Sequence, residues 1–390
     1  MKQLIKQVFT VQYEYDVRFT ADLFSKTNSL LAQFFASREP EVTPKLLVVV
    51  DAGMAAHHEG LVERIASRLN EIPNVSLVAD IIMVAGGEAV KNDHAAVDRI
   101  IEAVDQHRID RHSYIMAVGG GAVLDAVGYA AAIAHRGIRH IRVPTTVLSQ
   151  NDSGMGVKNG INYGGKKNFI GTFSPPVAVF NDELFLTTLS HREWLAGISE
   201  AIKVALIKDA AFFEWIANHA VQLHTRDMEA MRYLIYHCAA LHLQHIAGAD
   251  PFEFGSSRPL DFGHWSAHKL EQLSGFEIKH GEAVAIGIAL DSMYSSLAGL
   301  LPSEDSQRII DTLQAVGLPV FHPMLESSSG HHPLLAGLEE FREHLGGRLT
   351  IMLLEAIGSG VEVHALDSDL VLQAAAALQQ RTAISNSQLI

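Results

Sequence analysis

The run Ser113-Tyr-Ile-Met-Ala-Val-Gly-Gly-Gly-Ala-Val-Leu-Asp-Ala-Val-Gly128 reads as strand, turn and helix in immediate succession. Residues 114–118 are a short apolar run of the kind that forms a buried strand. Gly119, Gly120 and Gly121 follow, and then Ala122, Val123, Ala126, Val127 and Ala130 recur at helical spacing. A glycine turn between strand and helix lets the backbone approach a pyrophosphate closely. The helix start then offers free N–H groups and a partial positive charge. The spacing is not Gly-x-Gly-x-x-Gly, so the ordinary dinucleotide fingerprint is absent. In isolation the glycines serve equally as a tight turn in any α/β domain.

The flanking sequence repeats the pattern. Lys45-Leu-Leu-Val-Val-Val-Asp51 is an apolar run ending in an acid, as in a parallel strand buried on both faces. Residues 61–69 predict a helix, 75–84 a strand and 97–104 another helix. Residues 1–20 alternate loosely and predict one or two strands, and 21–36 carry a helical pattern. Strands alternating with helices imply βαβ units and a doubly wound, Rossmann-like sheet. Ligands in such sheets bind beyond the carboxyl ends of the strands. Asp51, the Gly86-Gly-Glu-Ala-Val-Lys91 run and the three glycines all fall at such ends. After Ile141-Arg-Val-Pro-Thr-Thr146 the character changes: residues 149–168, rich in Gly, Asn, Ser and Lys, predict loop or hairpin rather than helix. Beyond Thr188 helical patterns dominate to residue 379. Two domains are expected, an α/β unit over residues 1–185 and an all-α unit over 186–390.

Composition narrows the class. The chain has 390 residues, 19% charged and 48% hydrophobic, which suits a globular protein with two cores. A net charge of −14 argues against a nucleic-acid partner, whose binder is basic. An anionic small substrate stays compatible, because a pocket can gather local cations. Cys238, the single cysteine, excludes an intrachain disulfide and a cysteine-based zinc cluster, and its apolar helical setting makes it a core thiol. No apolar run reaches the length of a membrane span and no basic-then-apolar leader opens the chain. No membrane partner is therefore expected, and cytoplasmic residence is.

Four groups of residues can carry chemistry. Gly197-Ile-Ser-Glu-Ala-Ile-Lys-Val-Ala-Leu-Ile-Lys208 sets Glu200 and Lys203 three apart on one helix face. Asp261-Phe-Gly-His-Trp-Ser-Ala-His-Lys-Leu-Glu271 and Lys279-His280-Gly-Glu-Ala-Val-Ala-Ile-Gly287 supply histidines. The polar loop adds Asp152, Lys158, Lys167 and Asn168. Glu200, His264 and His280 would make a one-carboxylate, two-imidazole zinc set with an open position for substrate. A plainer reading stands beside it. Glu200 and Lys203 would be a helix-surface ion pair worth roughly a few tenths of a kcal/mol. The histidine spacing would be coincidence in a chain with 21 histidines, and the loop cluster a solvated turn.

In chain order, Gly119-Gly-Gly…Asp125…Gly128, Pro144-Thr-Thr146, Asp152-Ser…Lys158…Gly160-Ile-Asn162 and Lys167-Asn-Phe-Ile-Gly171 resemble the 3-dehydroquinate synthase family. So do Thr188-Leu189…Arg192-Glu193, Gly197-x-x-Glu-Ala-Ile-Lys203, Phe262-Gly-His264…His268…Glu271 and His280-Gly-Glu-Ala-Val-Ala-x-Gly287. This is the wider group of sugar phosphate cyclases, and the resemblance spans residues 48–357. It implies NAD held by Asp51, Glu88, Lys91, Gly119, Gly120, Asp125, Thr145 and Thr146, with Lys167, Thr188 and Leu189 contributing. It implies zinc or cobalt on Glu200, His264 and His280. Catalytic roles follow for Asp152, Lys158, Lys203 and His268, and substrate contacts for Asn168 and Asp261. Arg136 would reach a phosphate across a homodimer interface. The implied reaction oxidises a ring alcohol transiently, eliminates phosphate, reduces the ketone again and closes a carbocycle by an intramolecular aldol.

Three positions depart from the family pattern. Family members carry a Lys eighteen residues, and an Arg four residues, before the Asn that precedes the Gly-His motif. Here those positions are Leu243, Ser257 and Asp261. Arg258, one residue off, is a candidate replacement, as are His242 and His245. The resemblance assigns the missing cations largely to a substrate carboxylate. Without them that anion would lack charge-assisted partners, and Asp261 would add repulsion. The expected substrate is therefore a heptulose 7-phosphate without a carboxylate, such as sedoheptulose 7-phosphate. Relatives that cyclise it to valiolone-type products have Asp at the position of Asp261, although they tend to lack the histidine retained here as His268. The alternative is 3-dehydroquinate synthase itself, acting on 3-deoxy-arabino-heptulosonate 7-phosphate. An NAD-dependent polyol dehydrogenase shares the two-domain plan, but the loop with Lys158, Lys167 and Asn168 favours phosphate elimination. A non-catalytic scaffold would have lost such costly buried groups first.

Overall fold

The apolar runs around Val48 and Met116 become neighbouring strands at the centre of a seven-stranded parallel sheet. The structure is a computed structural model, and it describes residues 4–38, 42–248, 250–254, 259–326, 333–344 and 348–387. The chain forms two compact units, Met1–Pro144 with Val157–Asp182, and Thr145–Gly156 with Glu183–Ile390. The chain passes between the units three times, after Pro144, Gly156 and Asp182, and residues 145–156 go with the second unit.

In chain order the first unit contains β1 (Asp16–Thr20), α1 (Leu30–Ala36), β2 (Lys45–Asp51), α2 (Ala52–Ala55) and α3 (Leu61–Asn70). Then come β3 (Ser76–Leu77), β4 (Ile82–Val84), α4 (Ala89–Asn92), α5 (His94–Gln106), β5 (Tyr114–Gly119) and α6 (Gly121–Ile133). The unit is completed by β6 (Arg139–Pro144), β7 (Lys158–Tyr163), β8 (Lys166–Phe173) and β9 (Ala178–Asp182). The sheet order is β1-β9-β6-β5-β2-β3, with β4 beside the far end of β2. The chain leaves β2 on one side and returns to β5 on the other, so the order reverses between these two strands. In an open α/β sheet that reversal opens a crevice at the carboxyl ends, where Asp51 and Gly119 sit. β2 and β5 bury nearly every residue, as their uninterrupted apolar sequence requires. The Rossmann-like α/β reading is what the fold shows.

The second unit begins with a wide helical turn, Ser149–Ser153, where loop or hairpin was expected. Asn151 Nδ2 donates to the Gly197 carbonyl at 2.8 Å, which docks this turn on the helices of the second unit. The hairpin forms downstream instead, as antiparallel β7 and β8. The helices are α7 (His191–Ala196), α8 (Ile198–Lys208), α9 (Ala210–Asn218), α10 (Ala220–His224) and α11 (Met228–Ile246). They continue as α12 (His264–Leu273), α13 (His280–Leu297), α14 (Ser303–Val316) and α15 (Pro333–His344), and α16 (Ser368–Ser387) ends the chain. Between α15 and α16 lies a hairpin, β10 (Ile351–Ala356) and β11 (Ser359–Val363), so the unit is mostly rather than wholly helical. α13 is buried around most of its circumference, and α8 buries every residue but Lys208. Such helices form the centre of a core and not its surface. Among the described residues no helix is long and apolar enough to cross a membrane.

Candidate active site

In the first unit, Asp51 closes β2 and accepts the Met54 N–H at 3.1 Å. A Cβ on Gly86 would stand 2.4 Å from Asp51 Oδ1, and one on Gly119 would stand 2.8 Å from the Val123 Cβ. Glycine is thus what allows Asp51, the 86–87 turn and the start of α6 to converge. α6 starts after Gly120, which has no side chain to cap it, so its first N–H groups are presented to an anion.

A polar network lies beside this point. Lys91 is buried, and its Nζ donates to Asp125 Oδ2 at 2.5 Å and to Asn168 Oδ1 at 2.7 Å. Asn168 holds a left-handed backbone, φ +54°, which Asn tolerates better than most residues. Its N–H donates to Asn162 Oδ1 at 2.9 Å. Lys167 Nζ lies 3.5 Å from Glu88 Oε1, and Asn162 Nδ2 reaches Glu88 Oε2 at 3.4 Å. Five of the expected residues, Glu88, Lys91, Asp125, Lys167 and Asn168, therefore meet in one network. Asn168, expected at the substrate, accepts from Lys91 here. Lys158 is exposed at the start of β7, and its carbonyl accepts from Arg142 Nη2 at 3.1 Å. Arg136 is exposed in the turn between α6 and β6, at the amino-terminal end of the parallel strands, whereas Asp51 lies at the carboxyl end of β2.

In the second unit, α8 presents Glu200 and Lys203 to the interior. The bland reading of a surface pair fails here, because both side chains are buried. Lys203 Nζ bonds to Glu200 Oε2 and lies 4.0 Å from Asp152 Oδ1. His264 Nε2 and His280 Nε2 stand 3.7 Å and 3.3 Å from Glu200 Oε1. One donor atom from each of Glu200, His264 and His280 lies within 4.8 Å of the others. His264 Nδ1 is 3.1 Å from the Phe262 carbonyl, and His280 Nδ1 is 3.1 Å from Glu271 Oε2. These acceptors suit the tautomer with protons on both Nδ1 atoms, in which both Nε2 lone pairs face a carboxylate. Lone pairs facing an anion repel unless a cation sits among them. Both Glu200 oxygens are buried; Oε2 faces Lys203 and Oε1 faces the two imidazoles.

The electrostatics agree. Burial alone would push the Glu200 carboxyl up, but Lys203, His280 and His264 outweigh it and hold it well below the usual range. Burial would lower the Lys203 ammonium, yet Glu200 and Asp152, with Asp261 behind them, raise it. Burial and Lys203 lower His264 and keep its ring neutral, despite the opposing pull of Glu200 and Asp261. Lys203 is a permanent cation, Glu200 and Asp152 are anions, and the imidazole of His264 is a neutral donor.

The local fold holds each ligand in place. Gly197, at the start of α8, packs so closely that a Cβ would lie 2.4 Å from Leu148 N. Arg192 of α7 grips Glu282 with two bonds of 2.5 and 2.6 Å, and Glu282 accepts the Lys279 N–H at 2.9 Å. This clamps the first turn of α13, which begins with His280. A Cβ on Gly281 would lie 1.9 Å from the Ala196 carbonyl oxygen. Asp291 of α13 accepts from Gly263 N at 3.0 Å and Trp265 Nε1 at 2.9 Å, bracing the turn that carries His264.

His268 is exposed one turn along α12, its ring centroid 5.4 Å from that of His264. Asp261 sits in the short turn before α12. Arg258 and Ser257 lie outside the described residues. Thr145, Thr146, Thr188 and Leu189, expected at the nucleotide, belong to the second unit. There Thr146 Oγ1 bonds to Ser149 Oγ at 2.8 Å, and the Leu189 carbonyl accepts from Arg226 Nη1 at 2.7 Å. Sequence reasoning gave no site role to Glu271 or Asp291. His242 was only one of several stand-ins for a missing cation, yet its Nδ1 lies 2.8 Å from Asp152 Oδ1. The sole available signal was Glu271, seven residues after His264 on one helical face.

The 3-dehydroquinate synthase N-terminal family model matches residues 81–196, and the C-terminal model matches 197–333. The chain is 36% identical over 339 residues to a 3-dehydroquinate synthase of Bradyrhizobium sp., covering 85% of this chain and 86% of that one. It is 39% identical over 285 residues to that of Nitrosospira multiformis, covering 73% and 76%. Among solved structures it is similar to 2-epi-5-epi-valiolone synthase (ValA) of Streptomyces hygroscopicus with NAD+ and Zn2+ bound. That match has 27% identity and a TM-score of 0.86, and covers 97% of this chain and 100% of that one. A 2-deoxy-scyllo-inosose synthase complexed with carbaglucose-6-phosphate, NAD+ and Co2+ shares the fold, at 22% identity and TM-score 0.76 over 93% and 96%. With the two family models together matching residues 81–333, more than half of its length, the chain belongs to the 3-dehydroquinate synthase family.

Proposed function

We propose that the protein is an NAD- and divalent-metal-dependent sugar phosphate cyclase that eliminates phosphate from a heptulose 7-phosphate without a carboxylate, such as sedoheptulose 7-phosphate. The observation that carries the reading is the buried triad of Glu200, His264 and His280, whose donor atoms converge within 4.8 Å. One carboxylate and two imidazoles suit zinc or cobalt and leave coordination positions for a substrate. In the first unit, the glycine-lined carboxyl ends at Asp51 and Gly119, the uncapped start of α6 and the Lys91 network suit NAD. When bound, NAD supplies a reversible hydride acceptor for a ring alcohol, and the metal supplies a Lewis acid for adjacent hydroxyl oxygens.

The chain's own residues do the rest. Lys203 stays protonated, so it acts as a fixed positive charge towards a developing oxyanion or a departing phosphate and not as a base. Asp152 stays ionised and accepts a hydroxyl proton or its hydrogen bond, while His242 fixes the orientation of its carboxylate. His268, exposed beside the triad on α12, and Lys158 on the hairpin are proposed phosphate contacts. In the elimination a proton passes from the carbon beside the ketone to an oxygen of the departing phosphate. The C–H electron pair becomes the new C=C bond, and the C–O bond breaks with its pair leaving on the phosphate.

Asp261 supports a substrate without a carboxylate. It helps to raise Lys203 and opposes the lowering of His264, so its negative charge acts where a substrate carboxylate would need cations. Relatives named 3-dehydroquinate synthase at 36% and 39% identity, together with the retained His268, favour the second reading, 3-dehydroquinate synthase itself. Incubating purified protein with NAD, zinc and sedoheptulose 7-phosphate tests the class of reaction. Inorganic phosphate should appear without net NADH. NADH accumulating without phosphate would make the protein a polyol dehydrogenase and end the cyclase reading.

A further inference from the structure

Arg142 lies in β6, between β5 and β9, with Ala117 and Val179 as its strand neighbours. A strand buried on both faces is ordinarily apolar, yet this guanidinium is fully buried. An apolar side chain of similar volume would fill the place at lower cost, since a cation taken out of water loses its hydration. The contacts show what the charge does. Nη2 donates to the Lys158 carbonyl at 3.1 Å and to Asn159 Oδ1 at 2.7 Å. Asn159 Nδ2 donates in turn to the Ser174 carbonyl at 3.0 Å. The start of β7 and the residue that follows β8 are thus tied to one buried group. α6 leaves room for this arrangement, because a Cβ on Gly128 would lie 1.9 Å from Asn159 Oδ1. Asp125 of the same helix, which also binds Lys91, favours the charged guanidinium against the effect of burial.

We propose that Arg142 is a positioning residue, which fixes the base of the β7–β8 hairpin and so sets where Lys158 carries its ammonium group. The inference rests on the reading of Lys158 as a phosphate contact. Lys158 is exposed at the first position of β7, so its backbone is the part the fold can hold. A displacement of about 1 Å at such a group costs up to about 100-fold in rate. The far end of the hairpin is held separately. There the Asn168 N–H donates to Asn162 Oδ1 at 2.9 Å, and Lys91 Nζ donates to Asn168 Oδ1 at 2.7 Å. Removing the Arg142 charge should therefore loosen the base of the hairpin while the network around Lys91 keeps its bonds.

Arg142→Met keeps most of the side chain's length and removes its charge. Hydrogen exchange read by mass spectrometry should quicken across residues 157–160 and 171–174 and stay unchanged in β5. With NAD and zinc present, phosphate release from whichever heptulose 7-phosphate is turned over should fall about 10–100-fold in kcat/KM. The same substitution placed in a Lys158→Met protein should change kcat/KM by less than about 2-fold, because the group it positions is already gone. Asn159→Ala keeps the cation and removes one of its acceptors, so it stands in where Arg142→Met fails to fold. Its loss should likewise vanish in the Lys158→Met protein. Exchange at the hairpin base that matches wild type, or the same fold loss with and without Lys158, would overturn the proposal. Lys158→Met alone turning over like wild type would instead remove the phosphate contact itself, and the proposal with it.

Discussion

Replacing Glu271 by Gln changes one atom of a group that touches no proposed ligand atom of the metal, yet it should alter metal binding. Glu271 holds His280 Nδ1 at 3.1 Å, which fixes both the tautomer and the aim of Nε2. Glu271→Gln should weaken zinc binding by about 10–100-fold in a competition with a chromophoric chelator. Glu200→Gln should weaken it further, because it removes the charge the imidazoles face. Equal affinity in wild type and Glu200→Gln would remove the proposed metal site. Asp291 makes a different prediction. Burial lifts its carboxyl to about 7, despite hydrogen bonds from Trp265 and Gly263 that favour the charged form. The folded protein therefore holds this proton more tightly than the unfolded chain does. The resulting stability is complete only below the ordinary aspartate range and is lost as pH rises to about 7. Relative to Asp291→Asn, the wild type should lose roughly 2–3 kcal/mol between about pH 5 and about pH 8 in denaturant titrations. A difference independent of pH would contradict this. At this scale the sequence carried the ligand types but not their supports. Motif order pointed to Glu200, His264 and His280, whereas spacing could not reveal that Asp291, 28 residues from Gly263, accepts its N–H.

Elements were legible where burial is uniform and illegible where it is divided. β2, β5 and α6 are buried on nearly all sides, so their apolar runs announce them. Residues 75–84, expected as one strand, form two short strands because β2 offers partners only at Lys45 and Leu46 and again at Val49 to Asp51. The loose alternation before Asp16 forms no strand among the described residues. The helical pattern over 21–36 is realised only from Leu30, since Asp182 accepts the N–H groups of Asp22 and Leu23 and pins an irregular segment there. α13 supplies a test at this scale. Its first turn approaches the Ala196 carbonyl so closely that Gly281→Ala must push helix and carbonyl apart, a strain of about 1–3 kcal/mol. The thermal midpoint should fall, and zinc binding should weaken with it, because His280 is carried on that turn. A variant with lowered stability but unchanged zinc affinity would show that the close approach of Gly281 to the Ala196 carbonyl does not set the position of His280.

For the whole molecule, the sequence resemblance and the separately described units converge on one family, and the substrate is the open question. Leu243 and Asp261 replace a cation and a neutral amide expected at a carboxylate. The buried charges of the second unit include Lys203 as a cation against Glu200, Asp152 and the nearby Asp261. Adding a substrate carboxylate to that balance costs free energy that no described cation offsets, whereas a hydroxyl in its place costs little. The central claim is thus a preference, and it is measured as a ratio. Phosphate release by the protein with NAD and zinc would be followed at matched low concentrations of sedoheptulose 7-phosphate and 3-deoxy-arabino-heptulosonate 7-phosphate, giving kcat/KM for each. We expect the first to be favoured by at least about 100-fold, the equivalent of one unpaired buried charge. A preference for the second would mean that cations elsewhere in the chain serve the carboxylate, and that the protein is a 3-dehydroquinate synthase.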